Sequence, residues 1–79
     1  MTTLGFGKVR FERECAHIRP RLVVAASALL PTTEDAEDAV QDTLLKLWTV
    51  RERIADKTHF RNLAFSVVRN VCLNMLRSM

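Results

Sequence analysis

Residues 33–48, TEDAEDAVQDTLLKLW, decide the fold, because their spacing is that of one amphipathic helix. The apolar residues recur at intervals of three and four, which matches a helix of about 3.6 residues per turn. They form a single stripe on one side of that helix: Ala36, Val40, Leu44 and Leu47. A stripe of this kind predicts a helix that buries one side against a core.

The opposite side of this helix is unusual, because a leucine lies among acidic and polar side chains. It carries Asp38, Gln41 and Asp42, with Leu45 between them, where no other residue of the helix can cover it. From these residues alone two interpretations stay open. Either a partner covers this side, or the acids collect near the positive end of the helix dipole and the leucine is one of the many single exposed leucines.

The composition is that of one small helical domain. Of the 79 residues, 48% are hydrophobic, and only two glycines and two prolines interrupt the chain. This composition is typical of helices rather than of turns or disorder. Both cysteines, Cys15 and Cys72, fall inside helical patterns, so we predict reduced thiols in a cytoplasmic protein.

The charge is unevenly distributed along the chain. The net charge of +3 is compatible with a nucleic-acid partner but does not establish one. Acids concentrate in residues 34–42 and basic residues in the last third, so we expect an acidic face and a basic face. No secretory pattern is apparent, and no apolar run approaches the roughly 18 residues of a membrane span, so we expect no membrane partner.

The first helix is predicted to be long and interrupted. Residues 1–8 hold both glycines and no periodicity, so we expect a flexible N-terminal arm, followed by a helical domain over residues 9–79. Over residues 11–29 the apolar side chains recur with helical spacing, but Pro20 lacks the amide that would bond to Ala16. We therefore predict a first helix that is kinked or split near Pro20.

Two further helices follow. Thr32 with Asp35 approximates a capping box at the start of the second helix. A polar segment comes after that helix, and in it Asp56 or Thr58 can cap a third helix over residues 57–77. The fold class is therefore predicted to be all-α, a bundle of three main helices.

The third helix has one broad apolar side and a second side of mixed character. The broad side carries Phe60, Ala64, Val67, Val68, Val71 and Met75. On the far side, apolar residues lie beside two arginines: Phe65, Cys72 and Leu76. Either the first helix covers this side too, or part of it binds something outside the chain.

The pattern offers little that would support catalysis or metal binding. There is no glycine-rich phosphate loop and no nucleophile with a base at a telling spacing. Cys15 and His17 are two residues apart and face different ways on a helix, while His59 and Cys72 are far apart in sequence. We therefore expect no enzymatic activity, no metal site and no cofactor.

Three segments read together, FERECAHIRPRL, EDAEDAVQDTLLKLW and HFRNLAFSVVRNVCLNMLR, resemble the second conserved region of the extracytoplasmic-function (ECF) group of bacterial RNA polymerase sigma factors. The resemblance covers residues 11–77, and its middle segment is the most specific. The third segment matches the family's pattern at Phe60, Val67, Asn70 and Arg77. It departs where tryptophan, leucine and aspartate are usual, at Leu63, Ala64 and Asn74.

The resemblance implies that the second helix docks on the clamp helices of the largest subunit of RNA polymerase core. Acidic and polar side chains would pair with basic and polar groups there, while a leucine supplies an apolar contact. The residues that correspond to this site are Asp38, Gln41, Asp42, Leu45 and Trp48.

The resemblance also implies that the loop after the second helix and the third helix bind promoter DNA. They would hold the melted non-template strand of the minus-ten element, with one base flipped into a pocket. Such a site needs cations for phosphates and an aromatic or apolar surface for an unstacked base. The loop offers Arg53, Ile54 and Lys57. The helix offers Arg61, Phe65, Arg69 and Asn70.

The resemblance therefore predicts a transcription initiation domain whose partners are RNA polymerase core, promoter DNA and, where one exists, an anti-sigma factor. The competing interpretation is a helical protein–protein interaction domain with no nucleic-acid role. A helix-turn-helix that reads duplex DNA is disfavoured, because no short turn-helix pair is visible. The family's second helical domain, which reads the upstream promoter element, has no counterpart in this sequence, so we expect an isolated domain or a truncated chain.

Overall fold

The computed structural model of the chain describes residues 7–79, and every regular element in that range is helical. Each of the three long helices packs against the other two. Their bounds are α1 Lys8–Ser27, α2 Thr33–Thr49 and α3 Lys57–Ser78, with a short 3-10 turn, Arg51–Arg53, between α2 and α3. The predicted all-α bundle of three main helices is confirmed. Residues 1–6, most of the predicted N-terminal arm, lie outside the described residues.

α1 passes through Pro20 as one helix, so the predicted split does not occur, while the alternative of a kink stays a prediction. Proline removes the N–H that would bond to the carbonyl of Ala16. Both residues are exposed, so water can satisfy that carbonyl and the helix continues. α1 begins before the predicted periodicity does, and the N–H of Phe11 donates to the carbonyl of Gly7 over 2.9 Å.

α2 begins where the sequence predicts. The N–H of Asp35 donates to the hydroxyl of Thr32 over 3.0 Å, which makes Thr32 the N-cap. Glu34 and Asp35 occupy the first turn, where negative charge offsets the positive end of the helix dipole. The start of α2 is thus fixed by local interactions alone.

The buried side of α2 differs from the predicted stripe. It consists of Ala36, Ala39, Val40, Thr43 and Leu47. Leu44, predicted to be buried, is only half-buried, because α2 packs against both α1 and α3 and its buried side is centred on Ala36, Thr43 and Leu47, away from Leu44. Thr43 is accommodated in the core since its hydroxyl donates to the carbonyl of Ala39 over 2.7 Å.

Two hydrogen bonds hold the loop before α3. The N–H of His59 donates to the carboxylate of Asp56 over 2.8 Å, and the N–H of Ala55 donates to Nδ1 of His59 over 3.0 Å. Of the two predicted capping residues, Asp56 is therefore the N-cap of α3. Ile54 is fully buried and anchors the same loop in the core.

The far side of α3 is only partly covered. Its core side consists of Phe60, Ala64, Val68, Val71 and Cys72. Cys72 has no exposed surface and lies beside residues of the end of α1, so α1 covers part of the side that the sequence left open. Phe65 is half-buried against the core, and Leu76 is 38% exposed. The remainder of this side is open to solvent.

Three aromatic rings join the helices at one end of the bundle. The ring of Phe11 packs edge-on against Trp48, with 5.2 Å between ring centroids, and against Phe60, with 5.9 Å. These residues come from the start of α1, the end of α2 and the start of α3. Pairs with this geometry are worth roughly 0.5–1.5 kcal/mol beyond the burial of their surface. The cluster therefore fixes the end of the bundle that carries the α2–α3 loop.

Asp56→Ala should lower the free energy of unfolding by about 1 kcal/mol, because it removes the side-chain acceptor at the N-terminus of α3. Thermal or urea unfolding followed by circular dichroism measures the change. Glu52→Ala is the matched control, since Glu52 is an exposed acid of the same loop with no capping bond. Equal stability of the two variants would contradict the capping role of Asp56.

Candidate functional site

The five residues predicted to bind polymerase lie on one side of α2, which we call the outer face: Asp38, Gln41, Asp42, Leu45 and Trp48. They span an arc of about 120° on a helical wheel. Leu45, near the middle of that arc, is 58% exposed. Asp38 and Gln41 are exposed, and Asp42 and Trp48 are half-buried. The outer face is thus a continuous surface with a leucine near its centre.

The two acids of the outer face differ in their surroundings. The carboxylate of Asp42 lies 3.5 Å from the ammonium of Lys46, one helical turn away. An exposed pair of this kind contributes only about 0.3–0.5 kcal/mol, but it supplies a local counter-charge. Asp38 forms no ion pair with any of the described residues 7–79, so it is the acid with the more available charge. Lys46 was not among the residues predicted from the sequence, although its spacing of four residues from Asp42 is a signal for this pair.

A groove between α1 and α2 runs beside the outer face, and we call it the α1–α2 groove. Its volume is about 440 Å³. The apolar part of its lining consists of Phe11, Cys15, Leu44, Leu45 and Trp48, and the polar part of Lys8, Glu12 and Gln41. Leu45 is therefore not an isolated apolar residue but the edge of an apolar groove. The α1 residues were missed because a wheel of one helix cannot show which neighbour lies beside it.

Cys15 in this groove has a strongly perturbed thiol. Burial raises its pKa from 9.0 to about 11, while the guanidinium of Arg19 lowers the pKa and the carboxylates of Glu12 and Glu14 raise it. Both Cys15 and Cys72 are free thiols, and burial also raises the pKa of Cys72. Cys15 therefore adds neutral, apolar surface to the groove rather than a nucleophile.

The loop after α2 is tied to Trp48 by one arginine. The guanidinium carbon of Arg51 lies 3.6 Å from the centroid of the indole ring, and its Nη1 donates to the carbonyl of Trp48 over 2.9 Å. Arg53 is exposed on the same turn. Ile54, one of the predicted DNA-binding residues, has no exposed surface. Its side chain therefore anchors the loop and offers no surface to a base in this conformation.

The predicted DNA-binding residues of α3 lie on two sides of the helix. Lys57 and Arg61 line a groove against the middle of α1. Phe65 and Arg69 line a second groove, of about 320 Å³, against the end of α1. Asn70 lies about 100° around the helix from Arg69, so it is not brought together with the other four. Leu63, the position where the family pattern has tryptophan, is half-buried against the core.

A metal cluster and a membrane-spanning helix each place requirements on the described residues. No three or more histidine, cysteine, aspartate or glutamate side chains within residues 7–79 could hold a metal ion together. Among the helices of the same range, none combines the length and apolarity needed to cross a membrane.

The family is decided by a match to the model described as Sigma-70 region 2, which covers residues 16–79. The chain belongs to the sigma-70 region 2 family. The predicted resemblance to region 2 of ECF sigma factors is confirmed by two curated relatives, both called ECF RNA polymerase sigma factor SigG, from two strains of Mycobacterium tuberculosis, CDC 1551 and H37Rv.

This sigma-70 region 2 chain is 34% identical to each relative over 64 residues. The match covers 77% of the chain but only 17% of the relative, so the chain spans a small part of the curated proteins that it matches. No solved structure matches it significantly.

Iodoacetamide should alkylate Cys15 slowly near neutral pH, because only the thiolate reacts and the pKa is raised to about 11. The rate should keep rising with pH beyond the ordinary thiol value of 9.0. Peptide mapping by mass spectrometry over a pH series measures this, with an unstructured cysteine peptide as the control. A rate that levels off near 9.0 in both samples would contradict the burial of this thiol.

Proposed function

We propose that this domain acts in transcription initiation by binding RNA polymerase core through α2 and the melted non-template strand of the minus-ten promoter element through α3 and the loop before it. One observation carries the proposal. Leu45 is 58% exposed on an acidic face at the edge of an apolar groove, in a chain that matches sigma-70 region 2. The same helix packs its other side against the core through Ala36, Ala39, Val40, Thr43 and Leu47, which leaves the outer face for a partner.

The outer face and the α1–α2 groove together have the composition of a protein interface. Such interfaces have an apolar centre that excludes water and a polar rim that sets orientation. Here Leu45, Leu44 and Trp48 supply the apolar centre. Asp38 and Gln41 supply exposed polar groups beside it. This arrangement fits a partner helix that carries a large apolar side chain flanked by basic and polar groups, the chemistry proposed for the polymerase clamp helices.

Asp38, the acid without an ion pair among the described residues, predicts which charge the partner carries at this contact. Asp38 has no counter-charge among residues 7–79, so a basic side chain on the partner would supply one. The carboxylate of Asp42 already lies beside the ammonium of Lys46, so part of its charge is offset before any partner binds. We therefore expect Asp38 to influence the association rate and its salt dependence more strongly than Asp42 does.

The basic side of α3 supports the DNA half of the proposal. Arg53, Lys57, Arg61 and Arg69 are all exposed, and none of them forms an ion pair with a described residue. Phe65, half-buried beside Arg69, offers an aromatic edge next to a cation, the combination on which unstacked bases rest. Asn70 can donate to and accept from a base edge, but a strand along the α1 side of α3 would reach it only by crossing over the helix.

Leu45→Asp should weaken binding to RNA polymerase core while leaving helical content and melting temperature nearly unchanged. The substitution places a charge in the apolar centre of the proposed interface but disturbs no buried contact of the domain. Affinity for purified core enzyme, measured by biolayer interferometry, tests this.

Val24→Asp is the matched control for that experiment. Val24 is 72% exposed on α1, does not line the α1–α2 groove, and undergoes the same change from an aliphatic side chain to a carboxylate. Equal core affinity of Leu45→Asp and Val24→Asp would contradict docking through the outer face.

Arg61→Ala and Arg69→Ala should each lower affinity for single-stranded promoter DNA and make its salt dependence shallower. Each lost phosphate contact removes roughly 0.7 from the slope of log affinity against log salt for single strands. Fluorescence anisotropy measures the slope, and Arg13→Ala, on the exposed side of α1, controls for net charge. If single- and double-stranded probes bind equally well and neither arginine substitution changes the salt slope, the result would favour the competing interpretation, a protein–protein interaction domain.

A further inference from the structure

A groove between α1 and α3 gathers basic side chains from both helices, and we call it the α1–α3 groove. Its volume is about 180 Å³, well above the roughly 10–15 Å³ that one water needs. Its basic lining consists of His17 and Arg21 from α1 and Lys57 and Arg61 from α3. The rest of the lining is Glu14, Ile18 and Phe60. Two of these basic residues, His17 and Arg21, belong to no site considered so far.

The cations of this groove outnumber the acids in its lining. Arg21, Lys57 and Arg61 are exposed, and none of them forms an ion pair with the described residues 7–79. Glu14 is the one carboxylate in the lining. Three cations thus face a single acid. α3 itself carries no acidic residue between Lys57 and Ser78, and Asp56, its N-cap, accepts from the N–H of His59.

The arrangement is unfavourable for the isolated domain. Lys57 and Arg61 are four residues apart on α3, and like charges at this spacing destabilise a helix. Arg21 from α1 approaches the same groove and adds to the repulsion. An anion bound in the groove would remove this repulsion, so the domain gains from a ligand of negative charge.

The core fixes the positions of these cations. Ile18 and Phe60 lie beneath the groove with 4% and 1% of their surface exposed, and the ring of Phe60 packs edge-on against Phe11. Arg21 follows Ile18 by three residues and Arg61 follows Phe60 by one, so the buried pair sets where both guanidinium groups emerge. The groove is therefore placed by the packing of α1 on α3 and not by a flexible segment.

We infer that the α1–α3 groove binds the sugar–phosphate backbone of a nucleic-acid single strand, and that Arg21 supplies a phosphate contact from α1. The inference rests on the proposed function and extends it to a helix outside the predicted DNA-binding residues. Along α3 the groove is followed by Arg69, eight residues after Arg61 and therefore about 12 Å further along the helix axis. The four cations Arg21, Lys57, Arg61 and Arg69 thus form one basic track on the α1 side of α3.

Arg21→Gln tests the inference in the 79-residue chain. The probe is a fluorescein-labelled single strand of about 12 thymidines, a length within the span of known single-strand sites. A thymidine strand reports backbone contacts without base readout. We expect the slope of log affinity against log salt to fall by about 0.7, with affinity at the lowest salt reduced several-fold.

Two further variants separate charge from structure. Arg21→Lys keeps a cation and should restore the slope. Arg19→Gln removes the same charge from the same helix, but Arg19 lies about 160° around α1 from Arg21. The slope for this variant should therefore match the slope for the unmodified chain. Circular dichroism should show equal melting temperatures for all three, and if Arg21→Gln unfolds, Arg21→Ala takes its place.

The outcomes distinguish this inference from the proposed function. If the unmodified chain does not bind the strand in a salt-dependent way, this inference and the DNA half of the proposed function both fail, while docking on RNA polymerase core is tested separately by Leu45→Asp. If the chain binds and Arg69→Ala lowers the slope while Arg21→Gln does not, the proposed function stands and the α1 contact is overturned. A slope that falls equally for Arg21→Gln and Arg19→Gln also overturns it, because net charge alone would explain the loss.

Discussion

The edge-on packing of Phe11 against Trp48 and Phe60 holds α1, α2 and α3 together at one end of the bundle. All three features proposed for function begin at this aromatic cluster. Trp48 and Phe11 line the α1–α2 groove, and Phe60 lies beneath the α1–α3 groove. The α2–α3 loop leaves the same cluster, with Arg51 stacked on Trp48. Losing the packing of Phe11 would therefore disturb both grooves and the loop at once.

α2 packs against α1 and α3 with one side only, which explains why one small domain can present an acidic surface on α2 and a basic surface on α3. Its core side is buried against α1 and α3, which leaves the acidic and apolar outer face on the far side. α3 packs against α2 with its own core side, so its cations emerge towards α1. A partner protein on the outer face and a strand along α3 could then bind together without competing for the same side chains.

The features predictable from sequence were those set by local interactions. Thr32 and Asp56 cap α2 and α3 because a cap depends on the next three residues, and the exposure of Leu45 follows from helical period alone. The features that the sequence pattern could not predict are those set by the neighbouring helices. Thr43 replaces Leu44 in the core because of where α1 and α3 lie. Arg21 joins a basic groove because of the way α1 packs on α3. The loop between α2 and α3 is too short to show a hydrophobic period, so the burial of Ile54 could not be predicted from its sequence.

Photo-crosslinking from position 45 tests directly whether RNA polymerase core buries the outer face of α2. A benzophenone amino acid in place of Leu45, mixed with core enzyme and irradiated, should crosslink to the clamp helices of the largest subunit, as identified by peptide mass spectrometry. The same group in place of Val24, on the exposed side of α1, is the reference. Crosslinks from position 45 that fall outside the clamp helices, or that are no more frequent than those from position 24, would contradict docking through this face.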